Sequence, residues 1–193
     1  MNKLAESHLN TLNHINNGKL EQAESEYCKE YMANIKKLYS EAAKTYPLRF
    51  SKAEHWCVWT KNLYKLSRQT EEALKARNSE EALKLLEQIR QHFYSLHQET
   101  KTLHCNDLIY EFRREATKSE PSVEQLGEII KRLEKAEPSR IVKKKPDEFT
   151  TAKNEWQNAI TPLLDNSEIA QLERDSLRKA TEVFYLKFGI QYE

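Results

Sequence analysis

Glycine and proline are scarce in this chain: 3 Gly and 5 Pro among 193 residues. That scarcity excludes collagen-like and Gly/Pro-rich disordered chains. It also argues against phosphate-cradling loops and tight catalytic turns, which depend on glycine. Charge of one sign is missing as well. Lys+Arg is 31 and Asp+Glu is 30, whereas a general nucleic-acid binder carries a clear basic excess. No apolar run approaches the roughly 20 residues of a membrane span. Nor does the segment Met1–His8 contain an apolar stretch of the kind found in a signal peptide. The three cysteines, Cys28, Cys57 and Cys105, are odd in number and widely spaced, so they form no disulfide framework. They read as reduced thiols on helices. The expected location is cytoplasmic, with export, after loss of a signal, as the alternative.

What remains is a run of helical patterns, and the fold expected is all-α with seven or eight antiparallel helices. The first covers about Leu4–Asn16 and stops at Asn17-Gly18. The second runs from Leu20 to Thr45, ending at Tyr46-Pro47. A third spans Lys52–Arg77, with Trp56, Trp59, Leu63, Leu66, Thr70 and Ala73 at alternating steps of three and four, the spacing of a packed seam. Ser79 opens a fourth stripe, Ala82, Leu86, Ile89, Phe93, Leu96, Thr100, Leu103, Asp107 and Tyr110. No Gly or Pro interrupts it, so the spacing predicts one continuous helix over 79–118, about 60 Å long at 1.5 Å per residue. A break near Asn106 is the rival reading. Further helices are expected from Pro121-Ser122 to Ala136, over Asp147–Leu164 and over Glu168–Phe188. Glu137–Pro146 is expected to be the main loop, carrying the basic run Arg140–Lys145.

Markers recur in order along the chain. Pro47–Phe50 matches Pro146–Phe149, and Trp56 matches Trp156. Asn78-Ser79-Glu80 matches Asn166-Ser167-Glu168, and Phe93-Tyr94 matches Phe184-Tyr185. The pattern predicts an internal duplication of two related four-helix-bundle-like units, 1–98 and 99–193.

Chemical motifs are sparse. The six histidines, His8, His14, His55, His92, His97 and His104, all precede residue 105. None has Glu three residues before it, as a di-iron bundle requires. The zinc-protease pattern His-Glu-x-x-His and the haem-attachment pattern Cys-x-x-Cys-His are both absent. A non-covalent haem held by Met32 and a histidine has only those two residues in its favour. No local signature marks a catalytic cysteine. If a ligand site exists, the group that the continuous helix would gather is Tyr94, His97, His104 and Asp107. Tyr27, Tyr31 and Tyr39 suggest an amphipathic contact face on the second helix. The function expected is therefore non-catalytic: a helical binding or scaffolding protein that engages a protein partner or a second copy of itself, with no cofactor and no nucleic acid. The alternative is a ligand-, metal- or haem-binding bundle with its site in the histidine-containing first unit.

Overall fold

A computed structural model describes residues 2–42, 53–165 and 169–190. Among them every regular element is helical, and nine helices occur rather than seven or eight. None is long and apolar enough to cross a membrane. The chain divides into two compact units, Met1–Thr102 and Leu103–Gln191. The markers Pro47–Phe50 and Asn166–Glu168, and the helix stop at Tyr46-Pro47, lie outside the described residues.

Unit 1 holds four helices. Helix α1 is Asn2–Asn16. Helix α2 runs through three successive stretches: α-helical Leu20–Glu26, a π-helical turn Tyr27–Tyr31, and α-helical Met32–Glu41. Helix α3 is Ala53–Lys75 and α4 is Ser79–Glu99. Helix α1 packs on α2, α2 on α3, α3 on α4, and α4 back on α1. The stripe on α3 is inward as expected: Trp56, Trp59, Leu63, Thr70 and Ala73 are buried. Trp59 and His92 tie α3 to α4. The Trp59 indole N–H donates to the His92 carbonyl (3.3 Å), and His92 Nε2 lies 2.9 Å from the Trp59 carbonyl. A carbonyl can only accept, so Nε2 carries the proton.

Three helix ends in unit 1 close by the same local geometry. At each, a residue in the left-handed region sends its N–H back three residues, and the next residue sends its N–H back five. Gly18 (φ 71°) does this with Lys19, Arg77 (φ 58°) with Asn78, and Lys101 (φ 54°) with Thr102. At the third, Lys101 N–H donates to Gln98 O (3.2 Å) and Thr102 N–H to His97 O (2.9 Å). This overturns the continuous helix over 79–118: α4 ends at Glu99, and α5 begins at Cys105. The apolar period carries on across the gap, but the backbone does not. A left-handed turn costs a side-chain-bearing residue about 1–2 kcal/mol. Lys101→Gly should therefore raise stability by about 0.5–1 kcal/mol once glycine's extra chain entropy is subtracted. In a continuous helix the same change would lower it by about 1 kcal/mol. The shift of the urea midpoint gives the sign.

Unit 2 contains α5 (Cys105–Ala116), α6 (Val123–Lys135), α7 (Arg140–Lys144), α8 (Pro146–Leu164) and α9 (Gln171–Phe188). The basic run expected to be loop thus contains a short helix, because Val142 is buried and holds it down while Lys143–Lys145 stay exposed. Helix α5 packs on α6 and α9, α9 on α8, and α8 on α7. Phe112 meets Trp156 edge-on, and Trp156 stacks on Phe184. Arg178 and Arg174 of α9 reach the carbonyls that end α5 and follow it, among them Lys118 O (2.8 Å) and Ser119 O. They satisfy acceptors that the helix itself leaves open. Gly189 closes α9 because a Cβ there would stand 2.1 Å from the Tyr185 ring.

Candidate functional site

The four residues singled out by the sequence do not share a helix. Tyr94 and His97 belong to α4 in unit 1, and both are buried. The Tyr94 hydroxyl accepts a hydrogen bond from Gln98 Nε2 (3.0 Å). His104 and Asp107 belong to unit 2, where they build the start of α5. The Asp107 carboxylate accepts the His104 backbone N–H at 3.1 Å, an N-terminal capping contact. The seven-residue spacing of His97 and His104 meant one face only while the helix was unbroken, and the turn at Lys101 removes that premise. Among the described residues, no group of three or more His, Cys, Asp or Glu side chains could hold a metal ion. No disulfide joins Cys28, Cys57 and Cys105. Cys105 is buried and its sulfur accepts the Ser139 N–H (3.3 Å). The Cys28 thiol is pushed up by burial and by the Glu71 charge beside it.

A polar cluster inside unit 1 was not visible as such in the sequence. His8, Thr11, Tyr27, Tyr31, Ser67, Thr70 and Arg90 are each at most 1 % exposed. The π-helical turn explains how two tyrosines enter it. A wider turn brings residues four apart nearly into line, and the Tyr27 and Tyr31 rings stack at 4.7 Å and 19°. Tyr27 donates its hydroxyl proton to Ser67 O (3.2 Å). The tyrosine face expected on α2 is thereby divided: Tyr27 and Tyr31 are core, and only Tyr39 is exposed, stacked on Tyr64 (4.9 Å). Burial, with the Arg90 charge adding to it, lowers the His8 pKa to about 3. Burial also raises both phenols above their usual range. At neutral pH the imidazole and both phenols are neutral, with the imidazole in the field of the buried Arg90 guanidinium. These side chains form part of the core of unit 1.

An accessible apolar groove lies on unit 2. Helices α8 and α9 leave between them a groove of about 430 Å³, with Trp156 and Phe184 at its base. Small residues line it: Ala152 and Ala159 from α8, Ser176 and Ala180 from α9. Val183, 66 % exposed, stands on its wall. Charge is confined to Glu155 on the α8 side and to Lys179 and Lys187 on the α9 side. No family model, no curated protein and no solved structure matches this chain.

The groove arises because α9 is apolar on two faces. One carries Leu177, Thr181, Phe184, Tyr185 and Phe188 into the core of unit 2. The other carries Leu172 (82 % exposed), Ser176, Ala180 and Val183 outward. Steps of four, four and three keep the outward set on one stripe. The signal was present in the sequence as Leu172 and Val183, eleven residues apart and off the core stripe.

Proposed function

We propose that this chain is a non-catalytic helical binding module and that it engages a protein partner through the α8–α9 groove. The observation that carries the proposal is the second apolar face of α9, which continues across small residues onto α8 and is left open to solvent. Small side chains let another backbone approach closely, and a trough between two helices is the shape into which a third helix fits. The buried polar cluster supports the non-catalytic part of the reading, since its titratable groups lie in the core of unit 1.

The two units are proposed to be related copies of a four-helix plan. In unit 1 the first helix packs on the second, the third on the fourth, and the fourth on the first. In unit 2, with α7 set aside, α5 packs on α6, α8 on α9 and α9 on α5. Trp56 and Trp156 are buried on the third helix of each set, and Phe93-Tyr94 and Phe184-Tyr185 on the fourth. The packing of α2 on α3 has no counterpart of similar extent in unit 2.

The test is a selection of displayed peptides against the full chain, with each binder re-measured on Ala180→Arg. An arginine at this half-buried position fills the groove. Binders that adopt a helix and lose at least about ten-fold in affinity on the variant, a change of about 1.4 kcal/mol, support the assignment. Binders indifferent to Ala180→Arg would remove the groove from consideration.

A further inference from the structure

The groove's charges say which helix it accepts. Lys179 and Lys187 stand eight residues apart on α9, about 12 Å along its axis and two turns from one another. Both are exposed. Lys179 has two acidic neighbours on its own helix, Asp175 and Glu182, at the spacings that form ion pairs. Both are engaged elsewhere: Asp175 lies 3.6 Å from Arg178, and Glu182 accepts from Arg113 Nε at 2.6 Å. Lys187 lies over the Phe188 ring at 5.9 Å, with no carboxylate within ion-pair distance among the described residues. Across the groove, Glu155 makes no ion pair among the described residues either. An apolar trough is thus flanked by two uncompensated cations on one wall and one uncompensated anion on the other.

Resting on the reading of the groove as a docking site, we infer that its occupant is an amphipathic helix of a partner protein. That helix carries two acidic residues about two turns apart beside its apolar stripe. The dimensions agree. Ser176 to Lys187 spans about 16 Å, three turns of helix, so an occupant of about 11–12 residues covers the groove. Its acidic residues meet Lys179 and Lys187, its apolar stripe covers Val183, Ala180 and Ala159, and a basic residue between them on the far side meets Glu155. The asymmetry also fixes direction, because reversing the occupant places its acidic side against Glu155. Charge complementarity at a rim of this kind sets selectivity and association rate more than total affinity.

The experiment uses the full chain and three synthetic helical peptides of about 14 residues, long enough for three full turns. One has leucine at stripe positions and glutamate at the two flanking positions. The second replaces those glutamates with lysine. The third has the composition of the first in scrambled order. The expected result is that the first binds best and the scrambled peptide does not bind. Lys179→Glu with Lys187→Glu should weaken the acidic peptide about ten-fold and favour the lysine peptide, since two attractive exposed pairs become repulsive. Val183→Ser, at an exposed position that the core does not need, should weaken the acidic and the lysine peptides alike. Equal binding of the acidic and lysine peptides, both lost on Val183→Ser, would overturn the acidic occupant and leave the groove standing. Binding that ignores Val183→Ser and Ala180→Arg would overturn both. Binding of the scrambled peptide as tightly as the first would reduce the contact to undirected charge and overturn the inference. Light scattering of the chain alone supplies the remaining outcome. A dimer abolished by Ala180→Arg would make the occupant a second copy and sink the partner helix.

Discussion

Lowering the pH from 6.5 to 3 is expected to remove about 4 kcal/mol of stability from unit 1 through His8 alone. The imidazole is 1 % exposed, meets the Tyr31 ring edge-on at 6.2 Å, and sits in the field of Arg90. Burial first, and the Arg90 charge second, bring its pKa from 6.5 to about 3. The folded value lies below the unfolded one, so the unfolded chain binds the extra proton throughout that window. The stabilisation is complete above pH 6.5 and is lost as the pH falls towards the folded pKa. Below about pH 6, each pH unit costs about 1.4 kcal/mol. His92, also lowered by burial, acts in the same direction. Glu71 contributes in a lower window. Burial works to raise its carboxyl, but Lys75 and Arg68 outweigh it and hold it below the usual value. Its share is therefore lost only as the pH falls below about 4.5. Denaturant unfolding between pH 7 and pH 5 isolates the histidines. His8→Gln should flatten most of the slope in that interval. A wild-type profile that is flat from pH 7 to pH 5 would show that His8 is hydrated in the folded protein.

Removing the indole of Trp156 should cost unit 2 about 3–5 kcal/mol. The ring is 3 % exposed, 4.8 Å from Phe112 edge-on and 4.8 Å from Phe184 in a stack. Its Nε1 donates to Thr181 Oγ1 at 3.4 Å. Trp156→Ala opens a cavity between α5, α8 and α9 and leaves the buried Thr181 hydroxyl without that donor. Trp156→Phe keeps most of the volume and should cost clearly less. Trp56→Ala, at a buried ring stacked on Trp59 (5.2 Å), should fall in the same range for unit 1. Equilibrium unfolding gives both values. A loss under about 1 kcal/mol at Trp156 would mean that the ring is a surface lid.

The stripes on α3 and α4 were legible because burial follows the helical period. From Trp56 to Ala73 and from Ala82 to Leu96, the residues at steps of three and four are those that face inward, with Leu66 half-exposed. The break at Lys101 was not legible, because the usual glycine is absent and a lysine takes the left-handed conformation instead. The period of apolar residues says which side of a chain is inward, not whether successive turns belong to one rod. A hint existed in His104-Cys105-Asn106-Asp107, with an acidic residue three positions after the residue whose backbone N–H it accepts. The polar interior of unit 1 was hidden for a different reason. Arg90 lies four residues after Leu86 and three before Phe93, an inward position by period, but its charge marks it as a surface residue. The argument that gathered Tyr94, His97, His104 and Asp107 rested on helix continuity, and the turn at Lys101 removes that argument. The groove could be read only in part, since the alanines that line it carry no pattern of their own.

The π-helical turn of α2 bears on how this helix could change length. Its inward residues Ala23, Tyr27, Tyr31 and Ile35 are spaced four, four and four. An ordinary helix would let such a series drift round its axis by about 40° at each step. The wider turn absorbs one residue of that drift, as an insertion would. Lys29 is exposed within it. Excising Lys29 would leave spacings of four, three and four, the normal α-helical sequence, with the same four side chains still on the core side. The turn is thus the place in α2 where homologous chains could differ by one residue and keep their interior register.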